Sequence, residues 1–111
     1  MARITRGDIF VADLQPVRGH EQGGTRRVLI ISNDEFNRSE TVIAMAITTQ
    51  HQRACYPLTL KLSPTVTGRE SWLKISQVRT LSTQRLVRNV GRAPQDVVDQ
   101  AVEGLNEILA R

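Results

Sequence analysis

Cysteine and aromatic residues are scarce in this chain of 111 residues. The single cysteine, Cys55, excludes an internal disulfide framework and is typical of a reducing compartment. One cysteine and two widely spaced histidines, His20 and His51, argue against a zinc site, and we expect neither a metal ion nor a cofactor. Because there are only four aromatic residues, the composition does not favour base stacking on an aromatic platform.

Long apolar runs are also absent. No stretch of about 18 consecutive apolar residues occurs, so we expect no membrane-spanning helix. The N-terminal residues lack the apolar centre of a secretory signal, and we therefore expect a cytoplasmic protein. At this length the sequence predicts one domain, residues 1–111, without repeats or low-complexity segments.

Charge is distributed unevenly along the chain. Residues 1–92 contain 14 Lys and Arg against 7 Asp and Glu, a net charge of +7, whereas residues 93–111 carry −3. A basic body of this kind is suited to a polyanionic partner such as a nucleic acid. An arginine-rich solvated surface explains the same charge equally well, so the imbalance alone does not decide between the two.

Most of the chain has the pattern of short strands. Apolar or alternating runs predict strands at residues 9–14, 28–31, 41–49, 57–62 and 72–78, with shorter extended pieces at 80–81 and 87–90. In the fourth run, Leu58, Leu60 and Leu62 alternate with other residues and are expected on one buried face. The segment 63–68 has the composition of a turn.

Helical signals are confined to two places. One helical turn is predicted at residues 34–38, capped by Ser32 or Asn33. After Pro94, apolar residues recur with a period near 3.6 and predict a C-terminal helix. Many short strands followed by one helix indicate a mainly β fold, in which the helix packs on a small, strongly curved antiparallel sheet or barrel.

The densest set of reactive groups lies in residues 19–27, immediately before the second predicted strand. The segment contains His20, Glu21, Arg26 and Arg27, together with several glycines. Glycine allows the backbone to approach a ligand closely. Acid, base and phosphate-binding groups on one loop beside a strand are the components of phosphodiester chemistry.

These residues form part of an ordered set that resembles the MazF/PemK/Kid family, the toxins of bacterial type II toxin–antitoxin systems. The set comprises Arg6-Gly7-Asp8-Ile9, Pro16, Gly19-His20-Glu21-Gln22, Gly24-Thr25-Arg26, Phe36-Asn37, Thr48-Thr49 and Gln77-Val78-Arg79-Thr80. The resemblance extends from about residue 6 to residue 110. Each piece alone is a weak signal, but the ordered set is highly specific.

The resemblance implies an SH3-like small barrel with a C-terminal helix, the plasmid maintenance toxin type of fold. It also implies a homodimer that cleaves single-stranded RNA, usually mRNA, at short sequence motifs without a metal ion. A cognate antitoxin would neutralise the toxin. The family's two central catalytic positions correspond to Arg26 and Thr48. In the PemK/Kid branch, the residues that also line the RNA site match His20, Glu21, Lys74 and Ser76.

The chain departs from the family at three of these positions. Arg27 stands where the family usually has proline, so the junction between loop and strand gains a charge. Ser76 stands where some members have an acid, which weakens any mechanism that needs a carboxylate there. Lys74 replaces an arginine found in some members, and lysine lacks the planar fork that binds phosphate through two hydrogen bonds.

The chemistry of the residues supports some roles better than others. The Arg26 guanidinium is suited to binding phosphate but remains protonated, so it is a poor proton-transfer group. His20 or Glu21 is the more natural base for the 2′-hydroxyl of RNA. Thr48, at a strand end, can offer its hydroxyl to a phosphate oxygen. Further candidates for RNA contact are Gln22, Arg27, Thr49, His51, Arg53, Lys74, Ser76 and Gln77.

Several alternatives remain open. Trp72 is interpreted as a core or dimer-interface residue, and His51 and Arg53 are as consistent with solvated loop positions as with phosphate contacts. A gyrase poison of the CcdB type would have a related fold but relies on a tryptophan near its C-terminus, which this chain lacks. A module of the same fold that binds RNA without cleaving it is the other alternative.

Overall fold

The computed structural model describes residues 3–14 and 24–110, which form seven β-strands and three α-helices. The strands are β1 (Asp8–Asp13), β2 (Thr25–Ile30), β3 (Thr41–Thr48), β4 (Leu60–Leu62), β5 (Ser71–Leu73), β6 (Arg79–Ser82) and β7 (Leu86–Arg92). The helices are α1 (Asp34–Asn37), α2 (Pro64–Thr67) and α3 (Gln95–Leu109), with 3₁₀ turns at Ile75–Gln77 and Thr83–Arg85. The prediction of a mainly β fold with a C-terminal helix is confirmed.

The strands form one antiparallel sheet in the order β4-β5-β3-β2-β1-β7. The central strand is β3, which pairs with β2 on one edge and with both β5 and β6 on the other. In the described part of the chain the sheet ends at β4 and β7, so its hydrogen bonds do not close into a ring. The expected barrel is therefore an open one.

The sheet has a buried cluster on each face. Val28 and Ile30 of β2 pack with one cluster, whereas Leu29 and the adjoining Ile31 pack with the other. This alternation follows from the two-residue period of a strand. Helix α3 covers the second cluster through Val98 and other apolar side chains. The second half of β2, residues 28–30, is buried and forms an unbroken apolar run, whereas Thr25, Arg26 and Arg27 are exposed.

Local capping explains the short helix after β2. The Asn33 side chain accepts a hydrogen bond from the backbone N–H of Phe36 at 2.8 Å, which makes it the N-cap of α1. The buried Ser32 hydroxyl bonds the side chain of Asn37 and also accepts the N–H of Ile43 on β3 at 2.9 Å. The predicted helical turn is confirmed, with Asn33 as its cap.

An ion pair joins the beginning of β1 to the end of β7. Asp8, which is buried, accepts a hydrogen bond from Arg92 at 2.6 Å. Gly7 precedes it with φ +97°, and a β-carbon there would lie 3.2 Å from the Arg92 guanidinium. Glycine tolerates this backbone conformation without strain. The Arg6-Gly7-Asp8 segment therefore has a structural role in holding β1 against β7.

Four element predictions need correction. Strand β2 begins at Thr25 and not at residue 28, because its polar residues 25–27 pair with β1. Strand β4 contains only Leu60–Leu62, because the N–H groups of Leu58 and Thr59 bond the Cys55 carbonyl in a turn, and Leu58 is 45% exposed. The run 72–78 is not one strand, because it ends at Leu73 and continues as the 3₁₀ turn. The turn predicted at 63–68 contains one helical turn, α2, which Ser63 caps.

Candidate active site

Strand pairing places Arg26 and Thr48 side by side. The last pair between β2 and β3 joins Arg27 with Ile47, and Arg26 and Thr48 are the next residues along the two strands. Residues opposite each other in antiparallel strands have their side chains on the same face. On the outer edge of β2, Arg26 faces Ala12 of β1, which is fully buried and adds no polar group.

The Thr48 hydroxyl has a defined orientation. Its Oγ1 accepts a hydrogen bond from the backbone N–H of Gln50 at 3.1 Å, at the point where β3 ends. A hydroxyl that accepts one hydrogen bond still has a proton to donate. Thr48 is only 9% exposed, so the surrounding strands limit its rotation. The arrangement suits donation to a phosphate oxygen at the rim of the sheet.

The Arg26 guanidinium lies at the surface. The Nη1 of Arg26 donates a hydrogen bond to the carbonyl oxygen of Thr25 at 3.1 Å, so the side chain folds back along its own strand. A guanidinium has five N–H donors in a planar fork, so further donors remain for a ligand. In this position Arg26 adds positive charge next to the Thr48 hydroxyl. The pair supplies the two kinds of donor that stabilise negative charge on a phosphoryl group.

A groove of about 460 Å³ passes over this end of the sheet. It is lined by Val11, Thr25, Arg26, Arg27, Ile47, Thr48, Thr49 and Gln50. Four residues from the predicted site are therefore brought together here: Arg26, Arg27, Thr48 and Thr49. A larger cleft of about 630 Å³ lies beside α1 and includes none of the predicted site residues.

The other predicted RNA contacts lie beyond β5. The backbone N–H of Lys74 bonds the carbonyl of Ala46 at 2.9 Å, so Lys74 lies two positions along β3 from Thr48. Ser76 is exposed and its N–H bonds the Leu58 carbonyl, whereas Gln77 is half-buried in the same 3₁₀ turn. Arg53 is exposed and is not among the residues that line the groove.

Three predicted residues, His20, Glu21 and Gln22, lie outside the described residues. Their predicted roles as base or RNA contact therefore stay predictions. Among the described residues, no group of three or more His, Cys, Asp and Glu side chains is placed to hold a metal ion. No helix in the described part of the chain is long and apolar enough to cross a membrane.

The structure brings Trp72 next to the site and places the predicted RNA contact His51 against it. Trp72 of β5 pairs directly with Thr48, and it is buried, as a core position requires. The His51 ring contacts Trp72 edge-on, with the ring centroids 5.1 Å apart. The Nη1 of Arg79 is buried and has no hydrogen-bond partner among the described residues. Only the strand register, which the sequence pattern does not contain, brings Trp72 next to Thr48.

Comparisons with known proteins identify the fold and the family. The family model "PemK-like, MazF-like toxin of type II toxin-antitoxin system" matches residues 5–109. The chain is 41% identical over 110 residues to Endoribonuclease EndoA of Bacillus subtilis (strain 168), which covers 96% of this chain and 95% of that protein.

Solved structures of other proteins match the fold of this chain. MazF (Form-I) from Deinococcus radiodurans superposes with a TM-score of 0.87 at 24% identity, over 98% of both chains. MazE-MazF (Form-II) from the same organism gives 0.79 at 23%, over 98% of this chain and 97% of the other. An endoribonuclease in complex with its cognate antitoxin from a mycobacterial species gives 0.76 at 22%, over 98% and 95%. The open barrel is thus a MazF-type fold, and the chain belongs to the PemK-like, MazF-like family of toxins of type II toxin–antitoxin systems.

Proposed function

We propose that this toxin is an endoribonuclease that cleaves single-stranded RNA, usually mRNA, without a metal ion and at a short sequence motif. The class of activity is supported by the relative named Endoribonuclease EndoA, which is 41% identical over nearly the whole of both chains. The observation that supports the proposal is a groove on a basic body that both Arg26 and Thr48 line. RNA is a polyanion, so a groove with Arg26 and Arg27 attracts it.

The proposed reaction uses the nucleophile that RNA itself provides. The 2′-hydroxyl loses its proton to a base and attacks the adjacent phosphorus, and the bond to the 5′-oxygen of the next nucleotide breaks. The leaving oxygen takes a proton, and the upstream fragment ends in a 2′,3′-cyclic phosphate. Arg26 and Thr48 donate hydrogen bonds to the non-bridging oxygens, on which negative charge increases in the transition state.

The proton-transfer groups are assigned on chemical grounds. An arginine stays protonated at every working pH, so we give Arg26 an electrostatic role. His20 and Glu21 are proposed as the base and acid, since imidazole and carboxylate groups exchange protons readily. Lys74 and Gln77 are proposed to contact the RNA on the far side of Thr48, with Ser76 beside them.

The protein partners follow from the family. Toxins of type II systems act with an antitoxin. One structure similar in fold to this chain is an endoribonuclease in complex with its cognate antitoxin, and another is a MazE-MazF complex. For this chain we propose an antitoxin whose segment over the groove is acidic, which complements the +7 of residues 1–92. We also propose a cytoplasmic homodimer. Exposed apolar side chains on the edge strand β7 and at the end of α3, such as Val87 and Leu109, support a protein–protein contact.

The experiment is digestion of single-stranded RNA by the purified chain in excess EDTA, followed by sequencing of the new 5′ ends. The proposal predicts cleavage at a recurring short motif, with no cleavage of matched DNA. Strict dependence on Mg²⁺ would contradict the metal-free mechanism. Binding without cleavage would favour an RNA-binding module, and inhibition of gyrase without RNA cleavage would favour a gyrase poison.

A further inference from the structure

A second cluster of side chains lies beside Arg26 and Thr48 and has no role in the mechanism above. It consists of His51, Trp72 and Lys61. The rings of His51 and Trp72 meet edge-on, with centroids 5.1 Å apart and an angle of 68° between the planes. The Lys61 ammonium lies 6.0 Å from the Trp72 ring centroid and 3.2 Å from a carboxylate oxygen of Glu70.

The strand register places this cluster in line with the proposed reaction centre. Trp72 of β5 pairs with Thr48 on one side and with Lys61 of β4 on the other. Thr48, Trp72 and Lys61 therefore form one row across three strands, on one face of the sheet. Arg26, one position past the last pair of β2 with β3, continues this row on a fourth strand. Neighbouring strands are about 4.8 Å apart, so the row is about 14 Å long. A single strand of RNA held by Arg26 and Thr48 can extend along it.

The two rings of the cluster differ in exposure. Trp72 is only 7% exposed, whereas His51 is exposed. Trp72 is therefore a support and His51 is the ring that a ligand can reach. An edge-on contact of this kind stabilises aromatic pairs and restricts the orientation of the outer ring. A ring that is already oriented loses less conformational freedom when a ligand stacks on it.

We propose that His51, supported by Trp72, is the platform on which an RNA base next to the cleaved phosphodiester stacks. This inference rests on the proposed ribonuclease function. Unpaired bases of single-stranded RNA are commonly bound by stacking on aromatic side chains, histidine included. Lys61, one strand further on, adds a positive charge for the adjoining phosphate. The small number of aromatic residues in the sequence does not prevent such a platform, because the single tryptophan supports the exposed imidazole ring of His51.

Substitutions of His51 separate stacking from proton transfer. His51→Phe keeps an aromatic ring but removes both ring nitrogens, and His51→Ala removes the ring. With a short RNA that contains the mapped cleavage site, His51→Ala should raise KM by about 5- to 100-fold. The kcat of this variant should not change, because the lost contact stabilises the bound substrate and the transition state equally. His51→Phe should behave as the wild type. Phe36→Ala, an exposed aromatic residue on α1 at the opposite end of β2, is the matched control and should have no effect.

A binding cycle identifies the stacked base. The RNA carries a 2′-O-methyl group at the nucleotide before the cleaved bond, which prevents cleavage, and one abasic position at a time. Trp72 is the only tryptophan, so its emission reports binding beside His51. One abasic position should weaken binding to the wild type but not to His51→Ala, since the two changes remove the same contact.

The outcomes that overturn the inference are distinct from those that remove the proposed function. A wild type that cleaves RNA together with an unaffected His51→Ala overturns the inference alone. A His51→Phe variant with reduced kcat and an altered pH profile assigns His51 to proton transfer and also overturns it. A wild type that cleaves no RNA removes the proposed function and the inference with it.

Discussion

At the scale of the residue, Thr48 illustrates how the fold prepares a donor. Its Oγ1 is occupied as an acceptor by the N–H of Gln50, and its burial limits rotation, so the hydroxyl proton is left for a ligand. Threonine is common at strand ends for its β-propensity alone, so the sequence could not separate a structural from a chemical role without the family resemblance. The structure adds the neighbour, Arg26, through the strand register.

Substitution of Thr48 tests the hydroxyl directly. Thr48→Val keeps the shape and should lower kcat about 100- to 1000-fold, because one donor to the transition state is lost. Thr48→Ser keeps the hydroxyl and should retain most of the activity. Single-turnover cleavage of a mapped RNA, together with thermal unfolding of each variant, measures both quantities. Equal activity of the Val and Ser variants would show that the hydroxyl has no part in catalysis.

Arg26 should tolerate even conservative change poorly. Arg26→Lys keeps the charge but not the planar fork, and we expect an intermediate loss of kcat between the wild type and Arg26→Ala. Arg26→Ala should lose about 1000-fold. Because Arg26 is exposed and donates a hydrogen bond to the carbonyl of its neighbour Thr25, neither variant should change the thermal unfolding midpoint appreciably. Full activity of Arg26→Ala would refute the site.

At the scale of the element, α3 docks on the sheet at Gly104. A β-carbon at this position would lie 2.9 Å from Ile75 Cδ1 and 3.1 Å from Tyr56 Cε1. The Tyr56 hydroxyl donates to the Gln100 carbonyl at 3.1 Å. Desolvation, together with Glu103 and Glu107, raises the pKa of Tyr56, so the hydroxyl remains a donor.

Enlarging Gly104 should therefore destabilise the fold. Gly104→Leu places a large side chain against Ile75 and Tyr56 and should cost about 3 kcal/mol of unfolding free energy. The control variant Asn106→Leu introduces the same side chain at an exposed position two residues along the helix. It should change the free energy of unfolding by no more than about 0.5 kcal/mol. Urea denaturation of the two variants gives the comparison. If both are equally stable, α3 does not pack as described.

The elements also show which features a sequence pattern can predict. The apolar pattern predicts the helix α3 and the buried half of β2, residues 28–30, but it misses the polar first half of β2, residues 25–27. The prediction of a single strand over residues 72–78 was wrong, because β5 and β6 both pair with the same edge of β3. The chain passes from β5 to β6 through a 3₁₀ turn that contains the buried Ile75. That transition depends on tertiary pairing, which does not interrupt the apolar pattern.

The candidate site was predictable only in part for a related reason. Family motifs identified Arg26 and Thr48, but the motifs do not contain the register that makes Trp72 the neighbour of Thr48. His51 and Lys61 are separated from Trp72 by 21 and 11 positions in the chain. Their contacts follow from the pairing of β3, β5 and β4, so only the folded sheet reveals them.

At the scale of the whole molecule, charge separates the groove from the helix. The body, residues 1–92, carries +7, while the C-terminal segment carries −3. RNA should therefore bind the body, and binding should weaken steeply as salt rises, because each phosphate contact releases counterions.

The salt dependence of RNA binding tests this directly. With Arg26, Arg27, Lys61 and Lys74 each on a phosphate, log K should fall against log salt with a slope of about −3. Arg27→Ala should reduce the size of this slope by about 0.7. Arg38→Ala also removes one positive charge, but at the C-terminal end of α1 and not in the groove, and it should leave the slope unchanged. Equal effects of the two substitutions would mean that general charge, rather than the groove, binds RNA.

The most direct test of the central claim is the mass of the RNA fragments released in excess EDTA. The account predicts upstream fragments that end in a 2′,3′-cyclic phosphate with the wild type, and almost none with Arg26→Ala. It also predicts no cleavage when the nucleotide before the cleaved bond carries 2′-deoxyribose. Fragments that end in a 3′-hydroxyl, or cleavage of the 2′-deoxy substrate, would contradict it.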